Sequence, residues 1–492
     1  MRPLRRYDRS NGTTAAMVEG IDRVRDDAPA RRDACGPRKV RPLRPARSNR
    51  CRVKLPMSVS EVIVVGAGPA GSAVSCLLAE RGISTILIEE KRMPREKLCG
   101  AFITPECFPT LHRLGALDQI LAAGAQRISE LRLVAPTGRA VTAGISAISA
   151  GGRKCGLSIS RRRFDEILIE RARRAGAVLL EGMAVKRALF NNGDVSTGNA
   201  IGVECVSLPT GVTRVFEAPL IIDASGRNSR LSLAADERIA ARKSGRLYAL
   251  KAHLENVSLP SERVELYFYP AGYGGLSRIE GGLANLCFIT TQRSIREASG
   301  DAANVMRRSL MKNPVARQRL SEARVVGKWL SAGPLSFGHR PFRRNGVIAI
   351  GDAAGMIDPF TGTGIQIALR SGEILAESIL EDRANFKGHT NAAQYHARVR
   401  KLYEIRYEAE FKNRMAVAAA LRFAAFSPRA AGLAAAVFAL APGLANRAFK
   451  GTRRGTRERE SLEIPDSRLN QIMELSSPES VSDDEVGIRE RR

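Results

Sequence analysis

The feature that most constrains this 492-residue chain is a glycine pattern directly after a short β-branched segment. Val62-Ile63-Val64-Val65 predicts a buried parallel strand, and Gly66, Gly68 and Gly71 follow at the G-x-G-x-x-G spacing that opens an amphipathic helix over residues 69–81. The first glycine permits the turn, the second lets a pyrophosphate approach the backbone, and the third lets helix and strand pack closely. Free N–H groups at the helix N-terminus would bind the phosphates.

An acidic residue at the end of the next strand supports this interpretation. Residues 85–88, Thr-Ile-Leu-Ile, predict a second strand, and Glu89 follows a little over twenty residues after Gly66, where a carboxylate would bind ribose hydroxyls. A glycine-rich turn by itself is also common for purely structural reasons. Together with this strand and carboxylate it predicts a site for an adenine dinucleotide without a 2′-phosphate, namely FAD or NAD.

A second strand–turn–helix motif lies far along the chain. Residues 346–350 predict a strand, Gly351-Asp352-Ala-Ala-Gly predicts a turn, and a helix is expected over residues 364–380. Small residues after Asp352 would let a ribityl chain lie against the backbone while the carboxylate accepts its hydroxyl protons. Residues 359–365, Pro-Phe-Thr-Gly-Thr-Gly-Ile, would bring N–H groups and a helix dipole to the negative edge of a reduced flavin.

Three further stretches are candidates for the same ligand. Cys99-Gly100 ends a charged loop, and its glycine would let the backbone pass close to a flat group. Arg161 begins a predicted helix with two more arginines, whose charges oppose the helix dipole and favour an anionic partner. Asp223 and Gly226 form an acidic turn after the predicted buried strand 220–223.

The net charge of +28 does not by itself indicate a nucleic-acid partner. Residues 1–56 hold 14 Arg and 2 Lys against 6 acidic residues and lack a hydrophobic period, which predicts a disordered basic extension. It has no apolar core of a secretory signal, and translation starting at Met57 is an alternative explanation for it. The eight cysteines show no C-x-x-C pair, which favours a reducing, cytoplasmic location. No histidine is spaced with a cysteine or carboxylate as a metal-ligand set requires, so no metal site is expected.

The residues quoted above resemble the geranylgeranyl reductase family, within the wider group that includes para-hydroxybenzoate hydroxylase and the flavin-dependent halogenases. The motifs stand in that family's order over roughly residues 58–450, and Cys99-Gly100 narrows the match to the reductases. The resemblance implies an α/β fold: a Rossmann-type FAD-binding domain, an inserted antiparallel β-sheet substrate domain and C-terminal helices. The ranges that follow are 57–235 with 325–395 for FAD, 236–324 for the substrate, 396–451 for the helices, and a disordered tail over 452–492.

The resemblance also assigns roles to residues. Cys99 would lie beside the flavin ring as the catalytic candidate, although a small space-filling residue is an equal explanation for it. NAD(P)H would be a transient donor without its own Rossmann domain. The expected cofactor-binding residues are Gly66, Gly68, Pro69, Ala70, Gly71, Glu89, Glu90, Lys91, Cys99, Gly100, Arg161, Asp223, Gly226, Gly351, Asp352, Pro359, Gly362, Thr363, Gly364 and Ile365.

Three functions are compatible with these expectations. The first is an FAD-dependent, NAD(P)H-driven reductase of carbon–carbon double bonds in an apolar, isoprenoid substrate. The second is an FAD-dependent aromatic monooxygenase; a halogenase fits less well, because the W-x-W-x-I-P motif needs two tryptophans and only Trp329 is present. The third is a flavin-binding redox partner without turnover.

The apolar run 430–446 has two interpretations. It is either a pair of helices packed on the body, which we favour, or an apolar lip that contacts a lipid-like substrate or a membrane surface. Pro442 interrupts the run, which is too short to span a bilayer.

Overall fold

A computed structural model describes residues 60–149, 155–190, 200–229, 231, 247–270, 272–339, 346–383 and 392–426. All of them belong to one unit, Arg50–Arg492. The predictions about the extension 1–56, the Met57 start, the apolar run 430–446 and the tail 452–492 fall outside these ranges.

The described residues form twenty strands. In chain order they are β1 (Val62–Val65), β2 (Thr85–Glu89), β3 (Phe102–Ile103), β4 (Gln126–Ile128), β5 (Glu130–Val134), β6 (Ala140–Gly144), β7 (Gly156–Ser158), β8 (Val178–Glu181), β9 (Met183–Phe190), β10 (Ala200–Ser207), β11 (Thr213–Glu217), β12 (Leu220–Asp223), β13 (Leu247–Glu255), β14 (Arg263–Tyr269), β15 (Gly272–Arg278), β16 (Ala284–Thr291), β17 (Arg324–Leu335), β18 (Gly338–His339), β19 (Ile348–Ala349) and β20 (Gly355–Met356).

The same ranges contain ten α-helices and several single 3₁₀ turns. The helices are α1 (Pro69–Ala79), α2 (Phe108–Arg113), α3 (Leu117–Ala122), α4 (Ile145–Ile148), α5 (Arg161–Arg174), α6 (Gln292–Glu297), α7 (Ala302–Arg308), α8 (Pro314–Arg319), α9 (Gly364–Glu381) and α10 (Ala392–Phe426). The 3₁₀ turns that matter for the site are Gly351–Ala353 and Pro359–Thr361.

A five-stranded parallel sheet forms the first layer, in the order β19-β12-β1-β2-β8. Its strands are apolar on both faces, as expected for a sheet covered on both sides. Val62, Val64 and Leu87 face the helical layer, whereas Ile63 and Ile86 pack on the three-stranded antiparallel sheet β11-β10-β9. The predicted strand–helix–strand unit is therefore confirmed.

The second layer is a seven-stranded sheet in the order β17-β13-β16-β15-β14-β5-β6. It is antiparallel except where β14 and β5 run parallel. One face packs against the short helices α6 to α8, through residues such as Val305 and Ala316, and the other faces the Pro359–Thr361 turn. The sheet includes residues outside the predicted range 236–324. Strands β5 and β6, at one edge, come before residue 236 in the chain, and most of β17, at the other edge, comes after residue 324.

Helices α9 and α10 complete the described part of the chain. Tyr403, Tyr407 and Phe411 project from α10 into the main core, next to one another. C-terminal helices were predicted over residues 396–451, and the described part of that range, within Ala392–Phe426, is helical. Within the described residues no helix combines the length and apolar character needed to cross a membrane.

Two local predictions differ from the structure. The strand expected over 346–350 is only Ile348–Ala349, because these two residues alone pair with β12. The sequence of residues 129–160 predicts only short strands, but residues Ile145–Ile148 form one helical turn. The helical turn begins at Gly144, where strand β6 ends.

Candidate functional site

Three turns leave the parallel sheet at its carboxyl edge. They follow the adjacent strands β1, β12 and β19, where ligands of open α/β sheets usually bind. Backbone hydrogen bonds tie them together: Ala224 N donates to Val65 O at 2.8 Å, and Ile350 N donates to Asp223 O at 2.9 Å. The sheet thus brings together glycine motifs that are far apart in sequence.

The glycines of the first turn differ in what surrounds them. A Cβ on Gly71 would lie 1.9 Å from Gly66 O, and a Cβ on Gly66 would lie 2.5 Å from Ala224 O. Gly66 also has φ +103°, which strains other residues. Only the Lys97 ammonium, at 3.5 Å, would be near a Cβ on Gly68. Packing therefore requires Gly66 and Gly71, whereas the backbone at Gly68 stays accessible to a ligand.

Glu89 reaches from the end of β2 to the first turn. Its Oε2 accepts from Ala67 N at 2.9 Å and its Oε1 from Lys91 N at 3.0 Å, while Arg95 lies 3.6 Å away. The carboxylate is 5% exposed and lies beside the N-terminus of α1. Glu90 and Lys91 are exposed, so a contact of their side chains with a cofactor stays a prediction.

The second motif packs directly on the helix of the first. A Cβ on Gly351, which has φ +57°, would lie 3.0 Å from Ala70 Cβ. Gly351 N donates to Ser371 Oγ at 2.9 Å, which fixes the turn against α9. The Asp352 carboxylate is close enough to interact electrostatically with Lys97, whose ammonium lies beside Gly68 of the first turn.

Two cations that the sequence reasoning did not assign lie near Asp352. The Lys97 ammonium is half-buried and makes no hydrogen bond or ion pair with any described residue. The pKa of Lys97 is lowered, chiefly by burial and then by the positive charge of Arg161. The negative charges of Asp165 and Asp352 offset part of this lowering. Burial likewise lowers the pKa of Arg227, against the attraction of Asp352. In the sequence, Lys97 lies three residues before Gly100 and Arg227 directly follows Gly226, so a search for cations close to these glycines would have found both residues.

Arg161 is the buried member of its arginine triplet. Its Nε and Nη2 donate to the two oxygens of Asp165, at 2.8 and 2.7 Å, and the residue is 6% exposed, whereas Arg162 and Arg163 are exposed. Burial disfavours its charge, but Asp165 and then the neighbouring Cys99 outweigh that effect and raise the pKa of Arg161. The structure places it beside Cys99; its contact with a dinucleotide stays a prediction.

Asp223 holds its own turn in shape. Its carboxylate accepts from Ser225 N at 3.0 Å, from Ser225 Oγ at 2.5 Å and from Ser229 Oγ. Gly226 has φ +84° and nothing within 4 Å of the Cβ position, so a ligand has access to its backbone. Fixing the turn explains the burial of Asp223, and a direct contact with a cofactor stays a prediction.

Asp358 organises the turn before α9. Its Oδ1 accepts from Phe360 N at 3.0 Å and from the Tyr273 hydroxyl at 2.5 Å, which links this turn to the seven-stranded sheet. Burial, and then Asp358, raises the pKa of Tyr273, so the hydroxyl stays protonated. Gly362 has φ +68°, and the Cβ position of Gly364 has nothing within 4 Å. Pro359 is exposed in this turn, Thr361 and Thr363 bond each other at 2.8 Å, and Ile365 is buried.

The Cys99–Gly100 turn lies in the loop between strands β2 and β3. Cys99 is half-buried, and the Cβ position of Gly100 has nothing within 4 Å. Ala101 is buried with φ +62°, an uncommon conformation for a residue with a side chain. Open backbone at Gly100 and Gly364 suits the edges of a flat ligand.

An apolar wall lies between this loop and the seven-stranded sheet. Phe360 packs on Phe268 and Tyr273, with ring centroids 5.6 and 5.7 Å apart. Apolar side chains that are only partly buried surround these rings: Leu98, Phe102, Leu133, Leu266, Phe337 and Met356. Their exposed surface would be covered by an apolar ligand.

The residues of this cleft fit FAD. The backbone at Gly68 is accessible and lies beside the Lys97 ammonium, which has no ion-pair partner among the described residues, so this part of the cleft suits a pyrophosphate. Glu89 at the end of β2 suits a ribose. Open backbone at Gly100 and Gly364, next to the apolar wall, suits the flat ring. Within the described ranges, no group of three or more His, Cys, Asp or Glu side chains could hold a metal ion.

Residues 59–401 match the FAD binding domain family. Among curated proteins, geranylgeranyl diphosphate reductase of Arabidopsis thaliana is 28% identical over 343 residues, 69% of each chain. Digeranylgeranylglycerophospholipid reductase 2 of Methanopyrus kandleri is 29% identical over 371 residues, 71% of this chain and 83% of that protein. Flavin-dependent halogenase armH4 of Armillaria mellea is 27% identical over 371 residues, 68% of each chain.

Solved structures show the same fold. The myxobacterial chondrochloren halogenase CndH gives a TM-score of 0.63 at 20% identity, covering 85% of this chain and 97% of that one. A geranylgeranyl bacteriochlorophyll reductase-like protein from Thermoplasma acidophilum gives 0.58 at 20% identity, covering 85% and 96%.

The fold, the site and these matches define an FAD-dependent oxidoreductase. The chain belongs to the FAD binding domain family, and the resemblance to its geranylgeranyl reductases, first seen in the motifs, is confirmed.

Proposed function

We propose that this protein is an NAD(P)H-driven reductase of carbon–carbon double bonds in an apolar, isoprenoid substrate. FAD, when bound, supplies the hydride transfer, and the protein supplies binding, orientation and exclusion of water. The reduction adds one hydride and one proton across each double bond, at the expense of one NAD(P)H.

The apolar wall is the observation that carries the proposal. Phe268, Phe360 and their partly buried neighbours form an apolar cluster beside the Cys99–Gly100 turn, on one face of the seven-stranded sheet. A polyprenyl chain has no hydrogen-bonding groups along its length, so burial of apolar surface is the main way to bind it. The names of the two reductase relatives refer to geranylgeranyl compounds, which supports the same substrate class.

Each part of the cleft then has a task. Lys97, Gly68 and Glu89 would bind the ADP half of FAD, and Asp352 the ribityl or pyrophosphate part. Tyr273 and Asp358 would fix the Pro359–Thr361 turn against the sheet, so that the substrate approaches the ring from one side. Cys99 is the candidate for the substrate side of the ring.

The test is an anaerobic assay with purified protein, FAD and either NADPH or NADH. Geranylgeranyl diphosphate and a geranylgeranylated lipid serve as substrates, and mass spectrometry detects a gain of two mass units per reduced double bond. The proposal expects substrate-dependent NAD(P)H oxidation without oxygen. Oxidation that occurs only with oxygen, with no hydrogenated product, would contradict it.

The alternative is an aromatic monooxygenase, which the similarity to halogenases supports. In that reaction one oxygen atom of O₂ enters the aromatic ring and the other leaves as water, with NAD(P)H as the reductant. Substrate-dependent oxygen consumption with a hydroxylated product would identify it. Bound FAD without NAD(P)H oxidation, across prenyl and aromatic compounds, would instead identify a redox partner without turnover.

A peripheral contact with a membrane surface also belongs to the proposal, because polyprenyl lipids reside in membranes. Binding to anionic vesicles in a sedimentation assay tests it. We propose no specific nucleic-acid partner.

A further inference from the structure

The loop that carries Cys99 is held by polar side chains of the seven-stranded sheet. Lys251 Nζ donates to Lys97 O at 3.1 Å and to Glu96 Oε2 at 2.8 Å. On the neighbouring strand, Asn285 Nδ2 donates to Cys99 O at 3.2 Å. Side chains of two strands therefore bind two carbonyls of a segment that is neither helix nor strand.

These contacts are unusual for the positions they occupy. Lys251 and Asn285 are each 1% exposed, in strands whose other residues on both faces are mainly apolar. A lysine is almost never fully buried unless it is paired, because desolvating the ammonium is costly. A hydrophobic residue at this position would pack in the sheet without that cost. The burial of Lys251 therefore indicates a need for its contacts with the loop.

The loop itself is strained directly after the segment that these residues hold. Ala101 is buried in the left-handed region, with φ +62°, although it has a side chain. Such residues persist only where the surrounding structure imposes the conformation, and they concentrate at functional sites. Gly100, next to Ala101, presents its backbone to open space.

We infer that Lys251 and Asn285 are positioning residues: they hold the Glu96–Gly100 segment in place next to the strained Ala101, so that Cys99 and Gly100 keep their places on the wall of the FAD cleft. The two residues do not touch the reacting atoms. They couple the seven-stranded sheet, where the substrate would bind, to the loop that would face the flavin ring. The inference rests on the FAD site within the proposed function and is independent of the substrate's identity.

The test measures how fast iodoacetamide alkylates Cys99 in the full-length, FAD-saturated protein, by peptide mass spectrometry. Cys205, fully buried in strand β10 of another sheet, reports general loosening of the fold in the same sample. We compare Lys251→Met and Asn285→Ala with the parent. Lys328→Met is the matched control, because Lys328 is an exposed lysine on strand β17 of the same sheet.

Loss of two hydrogen bonds to the loop is expected to raise the Cys99 rate about five- to tenfold in Lys251→Met, and loss of one is expected to raise it about fivefold in Asn285→Ala. The Cys205 rate should not change, and Lys328→Met should match the parent at both cysteines. Lys251→Gln keeps a donor for the Lys97 carbonyl, so its Cys99 rate should lie closer to that of the parent.

Two results would overturn the inference: parent-like alkylation of Cys99 in both variants, or an equal rise at Cys99 and Cys205. If Lys251→Met does not fold, Asn285→Ala decides the question, since it removes a neutral side chain and leaves the Lys251–Glu96 ion pair intact. Alkylation requires no turnover, so a failure of the reductase proposal would leave this result unaffected.

Discussion

The two sheets of this protein build a site in different ways. The parallel sheet β19-β12-β1-β2-β8 contributes mainly backbone: turns at Gly66, Gly226 and Gly351 that leave its carboxyl edge. The seven-stranded sheet contributes side chains, both the apolar wall and the buried Lys251 and Asn285. The first turn depends on Gly66 and Gly71, which have no room for a Cβ, whereas a wall of side chains can change one residue at a time.

This difference explains how related proteins can share a cofactor site and differ in chemistry. The reductases and halogenases similar to this chain have the same fold around the FAD domain. Changes in the side-chain wall leave the backbone turns intact, so the substrate can change while FAD binding persists. The predictions below test whether the two regions separate in this way.

The largest effect is expected for Gly71→Val. A Cβ at position 71 would lie 1.9 Å from Gly66 O, a backbone atom that cannot move without displacing the whole turn. We expect no measurable FAD binding, a loss of more than about 1,000-fold, together with destabilisation of roughly 3 kcal/mol or more. FAD titration by fluorescence and thermal unfolding measure the two effects.

Gly144→Ala is the control for that variant. A Cβ at position 144 meets only Ser146 Oγ, at 3.6 Å, outside the FAD cleft. Its FAD affinity and unfolding temperature should equal those of the parent. Tight FAD binding by Gly71→Val would show that the turn is more adaptable than its geometry indicates.

The next largest effect is expected for Glu89→Ala. The carboxylate bonds Ala67 N and Lys91 N in the FAD-free protein and would bind ribose hydroxyls in the complex. Hydrogen bonds to a charged group contribute about 1.5–3 kcal/mol, so the FAD dissociation constant should rise roughly 10- to 150-fold. The affinity for FMN, which lacks the adenosine ribose, should not change; an equal loss for both flavins would place Glu89 outside the ribose site.

Lys97→Met should weaken FAD and ADP binding by about tenfold each and leave adenosine binding unchanged, because the ammonium above Gly68 would contact the pyrophosphate. Arg92→Met, an exposed cation on the same loop, is the control. Isothermal titration with the three ligands measures the effect. A loss for FAD with none for ADP would place Lys97 beside the flavin instead.

The pH dependence of the same variant has a defined sign. Because burial lowers the pKa of Lys97 below its usual 10.5, the free protein loses this charge at a lower pH than an ordinary lysine would. FAD affinity should therefore fall as pH rises through that lowered pKa, and Lys97→Met should lack this fall.

Folding favours the neutral amine, so the FAD-free variant should be more stable than the parent at neutral pH, and the difference should shrink as pH rises towards 10.5. Equal unfolding temperatures of the FAD-free parent and Lys97→Met at all pH values would contradict this prediction of stability.

The parallel sheet was predictable from sequence because its signals are local. Four β-branched residues, a glycine spacing and a carboxylate at the next strand end fix β1, α1 and β2, and the structure brings Glu89 to the first turn as that spacing implies. The second motif was recognised in the same way. The contact of Gly351 with Ala70 follows from their being at the same edge of one sheet.

The seven-stranded sheet was only partly predictable, because its pairing is non-local. Strand β14 pairs in parallel with β5, more than a hundred residues earlier, and neither segment signals the other. The buried lysine of β13 reads in sequence as an ordinary polar position of an alternating strand. Its contact with the Lys97 carbonyl depends on how the sheet docks on the loop, which no local pattern encodes.

The smallest effect on FAD is expected for Phe268→Ala, in the apolar wall. Its ring packs on Phe360 and lies on the sheet face opposite α6 to α8. Removing a partly buried aromatic ring costs apolar contact area worth about 1–2 kcal/mol, so the KM for a prenyl substrate should rise roughly 5- to 30-fold. The FAD dissociation constant should stay within about twofold of the parent, since no backbone turn is altered. Steady-state kinetics and FAD titration of the same preparation measure the KM and the FAD dissociation constant.

A large loss of FAD affinity would show that the wall and the turns act as one unit, because Phe360 connects them within the Pro359–Thr361 turn. Unchanged values of both constants would place the substrate elsewhere.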